Sequence, residues 1–236
     1  MRLLPREALA KTGPVDHSDW NYRALIGYIA RRRFALVRSL LRGRSIDRLL
    51  EIGYGSGIFA PELARYAREL YGIDPHPYSD QVTQSLREFG ISAQLRQASA
   101  EAIPFADGMF DAVVIVSAFE FIPDMARAAA EIRRVLAPAG RAVVVTPGTS
   151  PLLDLALRLT TGESAKDDYG DRRAAVAPAL MREFRIAKKR AFPSIIGSVL
   201  PIYHAYDLLP RSHDANDLSP QGIRPRQREG GTGTGT

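Results

Sequence analysis

Leu49-Leu-Glu-Ile-Gly-Tyr-Gly-Ser-Gly-Ile58 is the stretch whose reading decides the fold. An apolar run ends in an acid at Glu51, and glycines follow at Gly53, Gly55 and Gly57. A helix-like segment, Phe59-Ala-Pro-Glu-Leu-Ala-Arg-Tyr-Ala-Arg68, comes at once. That order reads as a buried parallel strand, a tight glycine turn and a helix opening, the way α/β folds build a pocket for a nucleoside ligand. A dinucleotide fingerprint spaces its glycines at first, third and sixth positions. Here the sixth position is Ile58 and the third glycine falls one residue early. The turn admits a ligand, yet lacks the small residue that close pyrophosphate packing requires.

Outward from this turn, strands and helices alternate. Strand one is read as Arg48–Ile52, followed by a helix over Phe59–Glu69. Strand two, Leu70–Ile73, ends at Asp74, 23 residues after Glu51. A carboxylate there can accept both ribose hydroxyls of a nucleoside. A helix over Ser79–Phe89 stops at Gly90, and strands three and four are read at Ser92–Arg96 and Phe110–Val116. A helix over Asp124–Leu136, a Pro138-Ala-Gly140 turn and strand five, Ala142–Thr146, follow. Upstream, Asn21–Leu41 reads as a helix with Arg31, Arg32 and Arg33 at its middle. The alternation predicts an α/β, doubly wound, mostly parallel sheet with right-handed crossovers. Beyond Thr146 we expect a helix over Pro151–Leu159, a polar loop over Thr161–Arg173 and a helix over Ala179–Phe184. Strands over Arg185–Phe192 and Val199–Leu209 would complete the sheet.

The E-x-G-x-G-x-G pattern resembles motif I of the class I S-adenosylmethionine (SAM) dependent methyltransferases. Two later blocks extend the likeness: Ala98-Ser-Ala-Glu-Ala-Ile-Pro-Phe105 running into strand four, and Glu131-Ile-Arg-Arg-Val-Leu-Ala-Pro-Ala-Gly140 before strand five. The three glycines alone would equally serve a plain strand–helix turn. Asp74 and the later blocks, in the family's order, decide for the family. The resemblance implies a seven-stranded Rossmann-like sheet closed by an antiparallel pair. It implies S-adenosyl-L-methionine as cofactor, with Gly53, Tyr54 and Gly55 on its methionyl and ribose parts, beside Gly57. Asp74 would take the ribose hydroxyls, Pro75 and His76 would flank the adenine, and Ser117 would lie near the methionyl group. The segment Ser99-Ala100-Glu101 would face the adenine edge, the Ala100 amide pointing to a ring nitrogen. Ser99 departs from the family, which commonly has an aspartate there, so Glu101 or a backbone carbonyl is the substitute acceptor. Glu51, beneath the turn, either holds backbone amides or faces a ligand amine.

The acceptor side is less legible. Glu120, after strand four, reads either as a general base or as a helix-start acid. His17, Trp20 and Tyr22 belong to a segment that caps the donor pocket in relatives; Trp20 reads equally as a packing anchor. Tyr203 and His204, among apolar neighbours, read as core. The expected reaction is methyl transfer to an O, N or C nucleophile on a small or lipidic acceptor. The alternatives are an RNA or protein methyltransferase, or a non-catalytic methyltransferase-like binding subunit. A nucleic-acid substrate is not expected, since no appended module or aromatic-interleaved basic patch accompanies the core. A nicotinamide oxidoreductase conflicts with the glycine spacing.

With no cysteine among 236 residues, disulfides and thiolate metal sites are excluded, and four scattered histidines suggest no metal centre. Met1-Arg-Leu-Leu-Pro-Arg-Glu7 is broken by Pro5 and charge, so no secretory leader is expected, and cytoplasm is the default setting. Net charge is +6, unevenly spread. Residues 1–48 hold eleven Lys/Arg against four Asp/Glu, whereas residues 49–150 hold eight against twelve. The expected organisation is a basic helical cap over 1–45, the SAM-binding domain that the resemblance implies over 46–210, and a disordered tail over 211–236, rich in Pro, Gly, Ser and charge. Arg31–Arg33 open the prospect of peripheral contact with an anionic membrane.

Overall fold

The computed structural model describes residues 1–13, 18–148, 172–194 and 201–211. Its frame is a seven-stranded sheet of order β3-β2-β1-β4-β5-β7-β6. The strands are β1 (Ile46–Ile52), β2 (Ala67–Asp74), β3 (Gln94–Gln97), β4 (Phe110–Val116), β5 (Leu136–Pro147), β6 (Phe184–Phe192) and β7 (Tyr203–Pro210). The first five pair in parallel, and β7 runs antiparallel to β5 and β6. The α/β class, the mostly parallel sheet and the antiparallel closing pair are therefore as expected. Strand order reverses between β1 and β4, and at such a switch point the carboxyl ends of the strands leave a crevice.

Both faces of the sheet are covered, which is why its central strands are continuously apolar. Val113 and Ile115 of β4 face one core with Leu50, Ile52 and Val144, packed under α4 (Met125–Val135) and α5 (Arg172–Glu183). Ala112 and Val114 face the other, with Val143 and Val145, under α1 (Ala24–Leu41) and α3 (Ser79–Glu88). Helix α4 shows why the local sequence folds as it does. Asp124 caps its N-terminus by accepting from the Arg127 amide at 3.0 Å, and Met125, Ala128, Ala129, Ile132 and Val135 form its buried stripe. The cap expected over 1–45 shares the main core: Leu4, Phe34, Val37, Leu40 and Leu41 are buried in the α1 cluster, and the Leu4 amide donates to Ile58 O.

Three local expectations are corrected. The helix expected over Phe59–Glu69 is a single turn, α2 (Ala60–Leu63), and Ala67–Glu69 already belong to β2. Strand β1 begins at Ile46, so Ala67 and Glu69 gain ladder partners in Ile46 and Arg48, which outweighs their helical propensity. The helix expected from Ala179 begins at least seven residues earlier, because Arg173, Val176 and Leu180 make a buried stripe. Pro178 inside it is exposed, so the carbonyl it leaves unpaired, on exposed Ala174, reaches water. Arg211, assigned to the tail, is tied to the folded domain, its amide donating to Glu183 O and its Nε to Met181 O. The expected Pro151–Leu159 helix, all but the end of the Thr161–Arg173 loop, and residues 212–236 lie outside the described residues.

Candidate functional site

The crevice at the carboxyl ends of β1, β2, β4 and β5 collects most of the residues singled out in the sequence. The glycine turn leaves β1 there. Gly53, at φ 78°, donates its amide to Ile73 O, and a Cβ on it would lie 2.4 Å from that of Ala118. Glycine at 53 thus lets the segment after β4 close against the turn. Gly55, at φ 51°, is different: a Cβ there would point into open space, with nothing within 4 Å. Gly57 packs the turn against Val82 of α3.

Asp74 ends β2 and clamps this turn. Its Oδ2 accepts from the Gly55 amide at 2.9 Å, and its Oδ1 accepts from the His76 amide at 3.3 Å. His76 adds a second clasp, with Nε2 3.0 Å from Gly55 O and Nδ1 accepting from the Tyr78 amide at 3.1 Å. Those partners assign the proton to Nε2. Tyr54 turns its ring into the core, edge-on to His76 at 4.9 Å, which leaves its backbone to face the crevice. Burial, then the nearby Asp74, pushes its phenol well above the usual range.

Glu51 lies beneath the turn, 5% exposed, and accepts no hydrogen bond from any described residue. Burial, reinforced by the Asp74 charge, pushes its carboxyl up to about 8. Of the two roles read from sequence, holding backbone amides is therefore not the one the geometry displays. At the next strand end, Ser117 holds φ 52°, unusual for a residue with a side chain, and its hydroxyl is buried without a partner.

The Ser99–Glu101 segment is partly engaged. Ser99 Oγ donates to Glu101 Oε2 at 2.8 Å, while Glu101 Oε1 accepts from the Asp124 amide at 2.7 Å. Glu101 thus anchors the start of α4 with one bond to each carboxylate oxygen. The Ala100 amide donates to no described residue. Pro75 is held through its carbonyl by Gln97 Nε2 at 3.0 Å.

Glu120 is no exposed helix-start acid. It sits in the 3-10 turn Phe119–Phe121, 1% exposed, with Oε2 3.4 Å from the Thr146 hydroxyl and Oε1 unpartnered. Burial holds its carboxyl up at about 7, against the hydrogen bond from Thr146 and the charges of Arg33 and Arg173. Tyr203, raised by burial, feels Arg33 and Glu120 as well. Sequence reasoning missed this convergence of α1, β5, α5 and β7 on one carboxylate. One signal was present: Arg33 lies in helical register with buried Val37, Leu40 and Leu41. His204, opposite Thr146 in the ladder, is held below its usual range by burial. Of the expected capping aromatics, Trp20 lies 5.8 Å from the Arg23 guanidinium and Tyr22 donates its hydroxyl to Leu4 O; His17 is outside the described residues. Among the described residues no His/Cys/Asp/Glu group is arranged for a metal, and no helix is long and apolar enough to cross a membrane.

The fold, the crevice and the motif order together define a methyltransferase domain. Residues 50–144 match the family model described as a methyltransferase domain, in line with the resemblance to the class I SAM-dependent methyltransferases. It is 38% identical over 101 residues to the demethylmenaquinone methyltransferase of Thermus thermophilus, covering 42% of this chain and 46% of that protein. It is 32% identical over 127 residues to the ubiquinone/menaquinone biosynthesis C-methyltransferase UbiE of Geotalea uraniireducens, covering 51% and 53%. The chain thus spans about half the length of these curated relatives. Among solved structures, a SAM-dependent methyltransferase from Aquifex aeolicus superposes with a TM-score of 0.62 at 14% identity, over 82% of this chain and 97% of that one. The N-methyltransferase NodS from Bradyrhizobium japonicum WM9, in complex with S-adenosyl-L-homocysteine, gives 0.55 at 19%, over 76% and 86%. At such identities the likeness carries the fold alone.

Proposed function

We propose that this protein transfers a methyl group from SAM to an O, N or C nucleophile on a small or lipidic acceptor. The observation that carries the proposal is the pairing of an Asp74-clamped Gly55 with open space where its side chain would be. Three polar groups on the neighbouring segments have no hydrogen-bond partner among the described residues: the Glu51 carboxyl, the Ser117 hydroxyl and the Ala100 amide. Such groups suit a ligand carrying an amine, a carboxylate and a base nitrogen. In this reading Gly53, Gly55 and Ser117 line the methionyl part, Glu51 faces its amine, and Asp74 keeps lone pairs for the ribose hydroxyls. His76 and Pro75 flank the base, and Ala100 offers its amide. When bound, the donor supplies an activated methyl on a sulfonium, whose departure leaves a neutral thioether. The protein aligns the nucleophile with that methyl and excludes water.

On the acceptor side Glu120 receives the proton that a hydroxyl or enol nucleophile loses, since a carboxyl titrating near neutrality is suited to proton transfer. Arg33, Thr146 and Tyr203 set its environment. The proposal includes a cytoplasmic setting with peripheral access to lipid, supported by the basic outer face of α1; a nucleic-acid substrate is not part of it. To test it, the protein is incubated with methyl-labelled SAM and fractionated small-molecule and lipid extracts. A labelled product about one methylene heavier than its precursor is expected. Label confined to RNA or protein, or SAM binding without any labelled product, would replace this reading with one of the alternatives.

A further inference from the structure

One face of α1 carries Arg32, Ala35 and Ser39, spaced three and four residues apart, and Arg42 follows three residues on at the helix C-cap. Its small members, Ala35 and Ser39, are shared by two adjoining cavities of about 410 and 480 Å³. The first opens against β6, the free edge of the sheet, between Arg32 and Arg190. The second opens against the turn before β2, among Arg38, Arg42 and Arg65. Together they form one trough, and Arg32 and Arg42 stand about 15 Å apart along the helix axis.

No carboxylate among the described residues lines either cavity. The acid beneath, Glu62, is fully buried and already engaged by Arg38 at 2.9 Å and Arg65 at 3.5 Å. Arg32, Arg42 and Arg190 pair with no carboxylate among the described residues. Arg32 is nonetheless held in place, its guanidinium 4.8 Å from the Tyr28 ring and 5.0 Å from that of Phe192, and its Nε is buried without a partner. Basic residues on an edge strand guard against strand-to-strand association, which accounts for Arg185 and Lys188. It does not account for Arg42 and Arg65, which line the second cavity, where no residue of β6 stands. With Arg38 and Arg65 sharing the buried Glu62 carboxylate, Arg32, Arg42 and Arg190 leave the trough a surplus of positive charge over its floor of small residues, and phosphate oxygens match the arginine fork.

We propose that this trough binds a phosphate-bearing ligand, with anionic groups taken by Arg32 and Arg190 at one end and by Arg42 and Arg65 at the other. It stands apart from the crevice and does not depend on the methyl-transfer reading. It also relocates the cationic surface expected from Arg31–Arg33. Arg31 donates to Asn21 O and Arg33 neighbours Glu120, so only Arg32 of the three borders the trough.

The test uses the full chain with two probes, inorganic pyrophosphate by calorimetry and phosphatidylglycerol against phosphatidylcholine vesicles by co-sedimentation, and with single-stranded RNA as a competing polyanion. Saturable binding to pyrophosphate or to the anionic vesicles is expected, weakening about tenfold from low to high salt. Reversing Arg42→Glu and Arg190→Glu together should cost at least about tenfold, while Arg87→Glu with Arg182→Glu, the same change in net charge elsewhere, should cost less than about twofold. Binding to vesicles alone names a lipid headgroup as the source, and comparable binding to pyrophosphate names a soluble phosphate ester. The proposal is overturned if the unmodified chain binds neither probe, if both double variants lose equally, or if single-stranded RNA binds more tightly than either probe.

Discussion

Glu51 makes a quantitative prediction. Its buried carboxyl titrates near 8 and accepts no hydrogen bond from a described residue, so in the free protein it is protonated at neutral pH. If the donor's amine docks against it, the cation favours the carboxylate and pulls its titration back toward the ordinary range near 4.5. At pH 6.5 the free carboxyl is about 97% protonated and the bound one about 1%, so binding should release roughly one proton. That pH keeps the ligand amine charged, so the proton comes from the protein. The sign follows: SAM affinity rises with pH between about 5.5 and 7.5, approaching tenfold per unit. Calorimetric titrations in buffers of different ionisation enthalpy read the proton count directly. Glu120 also titrates near neutrality, and Glu51→Gln separates the two, because it should abolish most of the release. SAM binding with no buffer dependence, or with the same dependence in Glu51→Gln, would refute the placement of the amine on Glu51.

Asp74→Ala removes both a charged acceptor for the ribose and the clamp on the Gly55 amide, so SAM affinity should fall tenfold or more, at about 1.5–3 kcal/mol per charge-assisted bond; unchanged affinity in a folded variant refutes the assignment. The Cβ of Gly55→Val meets no described atom within 4 Å, but a β-branched residue at φ 51° is strained, so the variant should melt at a lower temperature while circular dichroism still shows the fold, and calorimetry should show no SAM binding; retained binding contradicts the role of the open space. Glu120→Gln should flatten the pH dependence of stability. A carboxyl raised from 4.5 to about 7 favours folding at low pH, and that advantage is lost as pH rises through this window, so the variant should gain melting temperature on the wild type above pH 7. Asp124→Ala deletes the α4 cap and should cost about 1 kcal/mol in urea unfolding.

The parts legible in the sequence are those encoded locally. Strand, glycine turn and acid at the second strand end occupy 26 consecutive positions from Leu49 to Asp74, and their spacing alone predicts the crevice. The Phe59–Glu69 segment misled because its helix-forming composition is local, whereas its capture by β1 is a pairing across the sheet. The start of α5 was hidden for the converse reason: Pro178 signals a break, but the buried stripe of Arg173, Val176 and Leu180 overrides it. Apart from the register of Arg33, the surroundings of Glu120 were hidden because Arg33, Thr146, Arg173 and Tyr203 come from four separate elements. Only the antiparallel return of β7 brings Tyr203 beside the end of β5. Glu101 shows the limit of motif transfer. Its position fits the adenine edge, and its carboxylate also tethers Ser99 and the Asp124 amide, a second task that the motif does not encode.

The central claim is that the crevice at the glycine turn is a SAM site, and direct titration of the full chain with SAM, S-adenosylhomocysteine and NADH tests it. We predict saturable one-to-one binding of SAM and S-adenosylhomocysteine, lost in Gly55→Val, and none of NADH. Binding of NADH in place of SAM, or SAM affinity indifferent to Gly55→Val, would contradict it.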